Sequence, residues 1–341
     1  MAILMANGSC FFRYRIVVIT NQKKVLLKKV SKGGIGDSKS LSIFKTKVAS
    51  VMKSLGVPLS VYAATEYDEF RKPRTGMWKA MLDDYDLDVE GALDLEGSIF
   101  VGDAAGRPGD HSCVDRNFAA NIGIQFNTPE EFFRGEPIQP VQVFDPKHFI
   151  RDMTSASLAF TKSHGQELVI LCGSPGAGKS TFYWKYLQPL KYERVNQDIL
   201  KSVSMELFAF VVIHILRSLA KIDAPLVAKE YLKAGKPVAI DPETRAHWVK
   251  LAKEHNVPVR CIYLSTPQSI CKHNNAVRAA NPKLESINPE NRTFIPNVAF
   301  GDFTRRFQEP QISEGFQDIT RVDFQFEGDP TAREMWAQHW I

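Results

Sequence analysis

A glycine-rich segment near the middle of the chain contains the residues with the clearest chemical meaning. Residues 173–180 read Gly-Ser-Pro-Gly-Ala-Gly-Lys-Ser and match the pattern GxxxxGK(S/T) in full. Glycines let successive backbone N–H groups turn inward around phosphate oxygens, and the dipole of the following helix adds to the attraction. In this pattern Lys179 reaches the β- and γ-phosphates, and the Ser180 hydroxyl can ligate Mg²⁺. The predicted ATP-binding residues are Gly173, Ser174, Pro175, Gly176, Ala177, Gly178, Lys179, Ser180 and Thr181.

Phosphoryl transfer also needs a carboxylate that orients and deprotonates the attacking hydroxyl. Asp198 follows the loop by one short helix, at a predicted strand end, and is a candidate for this base. Its spacing is equally compatible with capping a helix that begins near Ile199. Asp241 ends a predicted strand, where a Walker B carboxylate holds Mg²⁺ through water. Arg278 lies in a helical segment and could clamp the γ-phosphate, although an exposed helix arginine explains its position too.

The loop alone leaves the substrate open. The chain lacks the NKxD pattern of guanine-binding proteins and the LSGGQ pattern of transporter ATPases. A kinase remains, which acts on either a small molecule or a nucleic-acid end.

Two α/β units are predicted to position these residues. In the first half, residues 15–20, 58–64 and 98–101 are typical of strands, and residues 41–55 have the apolar spacing of a helix. Strands alternating with helices predict a parallel sheet covered on both faces.

The second unit follows a proline-containing linker at residues 137–164. Residues 167–172 predict a strand before the glycine-rich loop, and residues 180–187 predict the helix after it. Later strands are predicted at residues 237–241 and 259–264. The strand–loop–helix context is the one that a phosphate-binding loop requires.

Composition indicates a soluble intracellular protein. The 341 residues carry a net charge of +5, which suits a polyanionic partner but is mild. The five cysteines form no CxxC pair, which argues against a disulfide scaffold or a zinc site and fits a reducing compartment. The most apolar run, residues 207–216, is half the roughly 20 residues that a membrane span needs, so no membrane partner is expected.

Several longer segments of the chain are distinctive: ITNQ at Ile19, RKPRTGMW at Arg71, VGDAAGRPGDHSCVDRNFAANIGI at Val101, GSPGAGKST at Gly173, VNQDIL at Val195, CKHNNAVRA at Cys271, NPENRTFIP at Asn288, FTRRFQEP at Phe303 and EGF at Glu314. In these segments the chain resembles the polynucleotide kinase 3′-phosphatase family in its fungal form, over nearly its whole length and with the phosphatase before the kinase. The resemblance implies an α/β protein with a truncated haloacid-dehalogenase-like (HAD-like) phosphatase at residues 1–136 and a P-loop kinase at residues 165–341, both with parallel sheets.

For the second half, the resemblance implies transfer of the ATP γ-phosphate to a 5′-hydroxyl end of DNA. Asp198 would be the general base, Lys179 and Ser180 would keep their P-loop roles, and Arg278 would be the lid arginine. Ser180 and Asp241 would hold the kinase Mg²⁺. The implied setting is nuclear DNA repair, with DNA ends as partners; the sequence does not identify repair-protein partners.

For the first half, the resemblance implies a HAD-type phosphatase. Such enzymes use an aspartate nucleophile in a DxDGT motif, a threonine or serine at a second strand end, a lysine, and acids that bind Mg²⁺. Thr20, beside Asn21, matches the second element, Lys72 the third and Asp103 the fourth; Asp110 or Asp115 would assist.

The chain departs from this family pattern in the first motif. DxDGT is expected well before Thr20, yet only nineteen residues precede Thr20, and Asp94-Leu-Glu-Gly97 lies beside the fourth motif instead. An acyl-phosphate mechanism requires its carboxylate nucleophile. We therefore expect the polypeptide as written to lack 3′-phosphatase activity, and a reading frame that starts upstream would explain the difference.

Other departures affect the kinase half. Residues 202–227 are more apolar than expected, which fits either an insertion or a buried helix. Asp241 is followed by Pro-Glu-Thr-Arg where the family has an Asn/Ala-Thr-Asn run, which suggests missing residues near the phosphates. Gln197 stands where animal relatives carry arginine, and the forkhead-associated module of those relatives is absent.

Two other functions compete with the polynucleotide kinase. One is a P-loop kinase of a small metabolite, for which a small closed pocket is expected rather than a basic groove leading to Asp198. The other is a degenerate product that binds ATP or DNA without turnover. The preference for DNA or RNA and the oligomeric state stay open at the level of sequence.

Overall fold

A computed structural model describes most of the chain, in two compact units. The described residues are 2–7, 14–31, 34–141, 144–150, 160–195, 238–240, 245–282, 284, 287–288, 290 and 292–341. The first unit comprises Met1–His148, Ala276–Arg292 and Asp329–Ile341, and the second comprises Phe149–Asn275 and Thr293–Gly328. The chain passes between the units at four points, of which the first, between His148 and Phe149, falls inside the predicted linker at residues 137–164. The functional boundaries 1–136 and 165–341 stay a prediction.

Strands and helices alternate along both units. In the first unit they are β1 (Ala2–Asn7), β2 (Arg15–Asn21), β3 (Lys28–Ser31), β4 (Gly34–Asp37), α1 (Lys39–Leu55), β5 (Leu59–Ala64), α2 (Gly76–Asp84), β6 (Asp94–Val101), α3 (Val114–Ile122), β7 (Gln125–Asn127) and α4 (Pro129–Arg134). The rest of the chain adds β8 (Leu168–Cys172), α5 (Lys179–Phe182), β9 (Glu193–Val195), β10 (Val238–Ile240), α6 (Arg245–Glu254), β11 (Val259–Leu264), α7 (Gln268–Ala280), α8 (Asn297–Arg306), β12 (Asp318–Val322) and α9 (Pro330–Trp336).

The sheet of the first unit has the strand order β5-β2-β1-β6-β7. The pairs β2–β5 and β6–β7 are parallel, as predicted, because helices α1 and α3 carry the chain back across the sheet. Strand β1 is an exception to the predicted parallel arrangement: it runs antiparallel to both neighbours, with Ala2 opposite Ile19 and Ile3 opposite Val101. Only seven residues, 8–14, separate β1 from β2, and a parallel crossover needs a dozen or more.

The core of the first unit is built on β2 and on helices α2 and α3. Val17 and Ile19 of β2 are fully buried, and they cluster with Trp78 of α2 and Phe118 of α3. The predicted helix at residues 41–55 is confirmed as α1, but none of its residues is buried. The packing that fixes the carboxyl ends of β2 and β6 therefore comes from α2 and α3.

The sheet of the second unit is parallel throughout, with the order β12-β11-β8-β10-β9. All five residues of β8 are buried, as expected of a central strand covered on both faces. Leu168 and Ile170 pack on one face with Trp248 of α6, whereas Val169 and Leu171 pack on the other face. The predicted strands at residues 167–172 and 259–264 are confirmed as β8 and β11.

Several predicted features lie outside the described residues. They are Gln197, Asp198, residues 202–227 with the apolar run 207–216, and Asp241. Within the described part of the chain, no helix is both long enough and apolar enough to cross a membrane.

Candidate active sites

The glycine-rich loop occupies the position that a phosphate-binding loop requires. It leaves the carboxyl end of the buried strand β8 and enters α5 at Lys179, after which the chain stays helical through Leu190. Lys179 lies against the loop, because its Nζ donates to the carbonyl oxygens of Gly173 at 2.7 Å and Ser174 at 3.1 Å. The lysine and the Ser180 hydroxyl are thus adjacent at the start of the helix, as the sequence predicts.

Neighbouring elements fix the shape of the loop. Gly176 has φ of 77°, and a Cβ there would lie 2.5 Å from the carbonyl oxygen of Cys271 in α7, so only glycine fits. The Asn274 side chain of the same helix donates to the Gly176 carbonyl at 2.8 Å. Thr266, between β11 and α7, donates to the Ala177 carbonyl at 2.9 Å. Carbonyl oxygens repel anions, and these bonds occupy two of them in the loop. The same bonds hold the loop in one conformation.

Two arginine side chains contact the ends of this loop. Arg194 of β9 donates to the Ser180 hydroxyl at 2.8 Å. Arg245 of α6 donates to the Cys172 sulfur at 3.7 Å, one residue before the loop. A hydrogen bond with the Cys261 thiol lowers the pKa of Cys172 to about 7, and Arg245 acts in the same direction. Lys179 and Arg194 thus bring positive charge to the loop, whereas Arg245 is also paired with Glu314.

Of the other predicted kinase residues, only Arg278 is described. It lies in α7, four residues after Asn274, so the two side chains share one face of that helix. Burial lowers the pKa of Arg278, and the neighbouring Arg292 lowers it further. Asp198 and Asp241 lie outside the described residues, so their roles remain proposals.

In the first unit, Lys72 and Asp115 form a buried ion pair. The Lys72 ammonium donates to Asp115 Oδ1 at 2.6 Å and to the Ile19 carbonyl at 2.8 Å, and both side chains are at most 5% exposed. Burial lowers the pKa of Lys72, against the attraction of Asp115. The second carboxylate oxygen of Asp115 accepts from the Ala104 N–H at 3.1 Å. A surface role for Lys72, the ordinary expectation for a lysine, does not fit this burial.

The ITNQ segment holds Lys72 in place. The Asn21 side chain makes two hydrogen bonds with the Lys72 backbone. Its Nδ2 donates to the Lys72 carbonyl oxygen, and its Oδ1 accepts from the Lys72 N–H. The Thr20 hydroxyl accepts from the Gln22 side chain at 2.9 Å. Thr20, Asn21, Lys72 and Asp115 are thus brought together where β2 ends.

The two remaining candidate acids differ in their surroundings. Asp103 is exposed, immediately after β6 and Gly102, at the same edge of the sheet. Gly102 is required there, since a Cβ would lie 2.6 Å from the Asp115 carboxylate. Asp110 instead accepts from the Ala105 and Arg107 amides and from the Arg107 side chain, so it shapes its own loop. Of the two assistants considered, Asp115 is the one that contacts Lys72.

Strand β1 lies between the strand that carries Thr20 and the strand that precedes Asp103. Its sequence, Ala-Ile-Leu-Met-Ala-Asn, contains no carboxylate. Among the described residues, no group of three or more His, Cys, Asp or Glu side chains is arranged to hold a metal ion.

Several contacts were not predicted from the sequence. Thr266 and Asn274 brace the loop, and Arg194 reaches the Ser180 hydroxyl. The sequence places Asn274 in a helical segment but gives no sign that its side chain faces the loop. Nothing in the sequence singled out Arg194.

Comparison with protein families matches both halves of the chain. Residues 5–133 match the family described as polynucleotide kinase 3 phosphatase, and residues 168–310 match an AAA domain family. The bifunctional polynucleotide phosphatase/kinase of Schizosaccharomyces pombe is 38% identical over 319 residues, which cover 91% of this chain and 69% of the relative. A protein of Acanthamoeba polyphaga mimivirus is 28% identical over 365 residues, or 96% of this chain and 80% of the relative. The polynucleotide 3′-phosphatase ZDP of Arabidopsis thaliana is 34% identical over 130 residues, covering 35% of this chain and 18% of the relative.

Proposed function

This chain belongs to the polynucleotide kinase 3′-phosphatase family, and from that premise we propose that it transfers the γ-phosphate of ATP to the 5′-hydroxyl end of a DNA strand. The observation that carries the proposal is the complete GxxxxGKS loop on the buried parallel strand β8, with Lys179 and Ser180 at its helix start. A mild excess of positive charge, +5 over the chain, is compatible with a polyanionic substrate.

The residues divide the work of phosphoryl transfer between charge neutralisation and positioning. Lys179, already held beside the loop, would neutralise the β- and γ-phosphates, and Arg278 would reach over the transferring group. Asp198 would accept the proton of the attacking hydroxyl as the new P–O bond forms and the bond to ADP breaks. When bound, Mg²⁺ would neutralise phosphate charge; the Ser180 hydroxyl fits it as a hard oxygen ligand, and Asp241 would act through water.

We propose a limited role for the first unit. The Lys72 ammonium and the Thr20 hydroxyl would hold a 3′-phosphate, while Asn21 and Asp115 keep Lys72 in place. Asp103 would be the Mg²⁺ ligand. Hydrolysis would also need a carboxylate nucleophile, and β1, which lies between the two strands that position the site, brings none. The polypeptide of residues 1–341 is therefore proposed to act as a kinase, with nuclear strand-break repair as its setting.

The test is transfer of label from γ-labelled ATP to a 5′-hydroxyl DNA oligonucleotide. The wild-type chain should label the oligonucleotide, whereas Lys179→Ala and Asp198→Ala should lower the rate by at least about a hundredfold. Lys250→Ala is a matched control, because Lys250 is exposed on α6. Full activity of Lys179→Ala would reject the proposed use of the loop.

The same assay separates the two competing functions. Stabilisation of the chain against heat by ATP, with no label on 5′-hydroxyl DNA or RNA, would select a non-catalytic nucleotide-binding protein. Label transfer to a small hydroxylated metabolite, but not to oligonucleotides, would select a metabolite kinase.

A further inference from the structure

Strand β9 places an arginine beside the phosphate-binding loop. β9 lies at one end of the described sheet, parallel to β10, and Arg194 is its second residue. Side chains alternate between the faces of a strand. Val195 packs into the core on the α6 face, so Arg194 points to the opposite face, where Tyr183 of the loop helix is buried.

The guanidinium of Arg194 is held at a defined point. Nη2 donates to the Ser180 hydroxyl at 2.8 Å. The guanidinium carbon lies 5.0 Å from the centroid of the Tyr183 ring and 5.8 Å from that of Trp184. Both rings belong to the helical turn that follows Ser180, so the loop and its helix set the position of the charge. Contact with aromatic faces orients a guanidinium.

The position has a direct chemical consequence. Ser180 is the loop hydroxyl expected beside the β- and γ-phosphates. Arg194 Nη2 lies 2.8 Å from the Ser180 oxygen, so its guanidinium is close to where the phosphate oxygens would bind. A guanidinium binds phosphate well, since it is planar, permanently charged and able to donate two parallel hydrogen bonds. Lys179 supplies a point charge from within the loop, and Arg194 supplies a fork from β9, on the far side of β10.

We propose that Arg194 is a further nucleotide-binding residue, which contacts the β- or γ-phosphate of ATP. This inference rests on the proposed ATP-dependent function. The ligand of Arg194 would be the polyphosphate group of ATP. Strand β9 would thus supply a second positive charge in addition to Lys179. Arg194 exchanges its bond to the Ser180 hydroxyl for a bond to the phosphate, which leaves that hydroxyl available to a metal ion.

The test is the equilibrium dissociation constant for ATP, measured with full-length protein by calorimetric titration. Arg194→Met keeps an unbranched side chain against Tyr183 but removes the charge. We expect it to raise the constant at least about tenfold, equivalent to 1.4 kcal/mol. Arg194→Lys keeps the charge but loses the planar fork, so its dissociation constant should lie between those of wild type and Arg194→Met. Arg321→Met, at an exposed surface of the same unit, controls for net charge and should leave the constant unchanged.

Thermal unfolding separates phosphate binding from a structural role. The inference holds if Arg194→Met weakens ATP binding, if Arg194→Lys restores it in part, and if both variants melt near the wild-type temperature without ATP. It is overturned if Arg194→Met binds ATP as wild type does, if Arg194→Lys binds as poorly as Arg194→Met, or if Arg321→Met has the same effect. Should Arg194→Met fail to fold, Arg194→Gln takes its place with the same expectation. A dissociation constant raised at least about tenfold supports the inference, and a smaller rise overturns it. A wild-type chain that binds no ATP would instead reject the proposed function.

Discussion

The buried pair Lys72–Asp115 gives a prediction whose size follows from the structure. Lys72→Met removes the ammonium and leaves the Asp115 carboxylate, only 3% exposed, with the Ala104 N–H as its described hydrogen-bond donor. Leaving one charge of a buried pair without its partner costs about 3–5 kcal/mol, because the desolvation of the remaining ion is no longer offset. That is a large part of the roughly 5–15 kcal/mol by which a domain is stable.

The double variant Lys72→Met/Asp115→Asn should recover most of this loss. Asparagine keeps an oxygen for the Ala104 N–H, fits the space left by Gly102, and carries no charge. We expect its free energy of unfolding to lie within about 2 kcal/mol of the wild-type value. Lys79→Met, on the exposed side of α2, is the control and should change the stability by less than about 0.5 kcal/mol.

The free energy of unfolding of the first unit can be measured by urea unfolding, with hydrogen exchange in peptides from β2 and β6 as the signal. The deficit of Lys72→Met should shrink on acidification. An unpaired buried carboxylate has a raised pKa, so its protonation stabilises the folded variant below that pKa, and this stabilisation is lost as the pH rises. A Lys72→Met loss no larger than that of Lys79→Met, or losses that simply add in the double variant, would refute the reasoning.

Three further predictions test other contacts. Gly176→Ala should largely abolish the thermal stabilisation by ATP, because its Cβ would lie 2.5 Å from the Cys271 carbonyl at φ of 77°; Gly301→Ala, which meets no atom within 4 Å, should preserve it. The hydrogen bond from Arg245 lowers the pKa of Glu314, so this pair stabilises the fold above the ordinary carboxyl pKa of 4.5 and loses that effect as the pH falls through the lowered value. Urea unfolding between about pH 3 and 6 should therefore show a weaker acid dependence in Glu314→Gln than in wild type. Residues 1–341 should release no phosphate from a 3′-phosphorylated oligonucleotide with Mg²⁺; release at a rate that Lys72→Met abolishes would contradict the proposed lack of a nucleophile.

The arrangement around β8 could be predicted because local signals agree there. An unbroken apolar run predicts a buried parallel strand, and the glycine pattern predicts the loop that joins it to a helix. The structure confirms that order in β8 and α5. The burial of Lys72 was accessible only through family resemblance, since its partner Asp115 lies 43 residues away in the sequence.

Other features depend on contacts that no local pattern encodes. The direction of β1 follows from its short connection to β2, which a reading based on alternating strands and helices overlooked. Arg194 reaches Ser180 from a strand at the far side of β10, so its role depends on sheet order rather than on spacing. The positions of Asp198 and Asp241 stay predictions, because both residues lie outside the described part of the chain.

The most direct measurement of the central claim is mass spectrometry of a DNA oligonucleotide after incubation with the chain, ATP and Mg²⁺. Transfer to a 5′-hydroxyl predicts the gain of one phosphate at the 5′ end of a 5′-hydroxyl oligonucleotide, and no gain on the same oligonucleotide with a 5′-phosphate. An unmodified 5′-hydroxyl oligonucleotide, under conditions where ATP is shown to bind, would contradict the account.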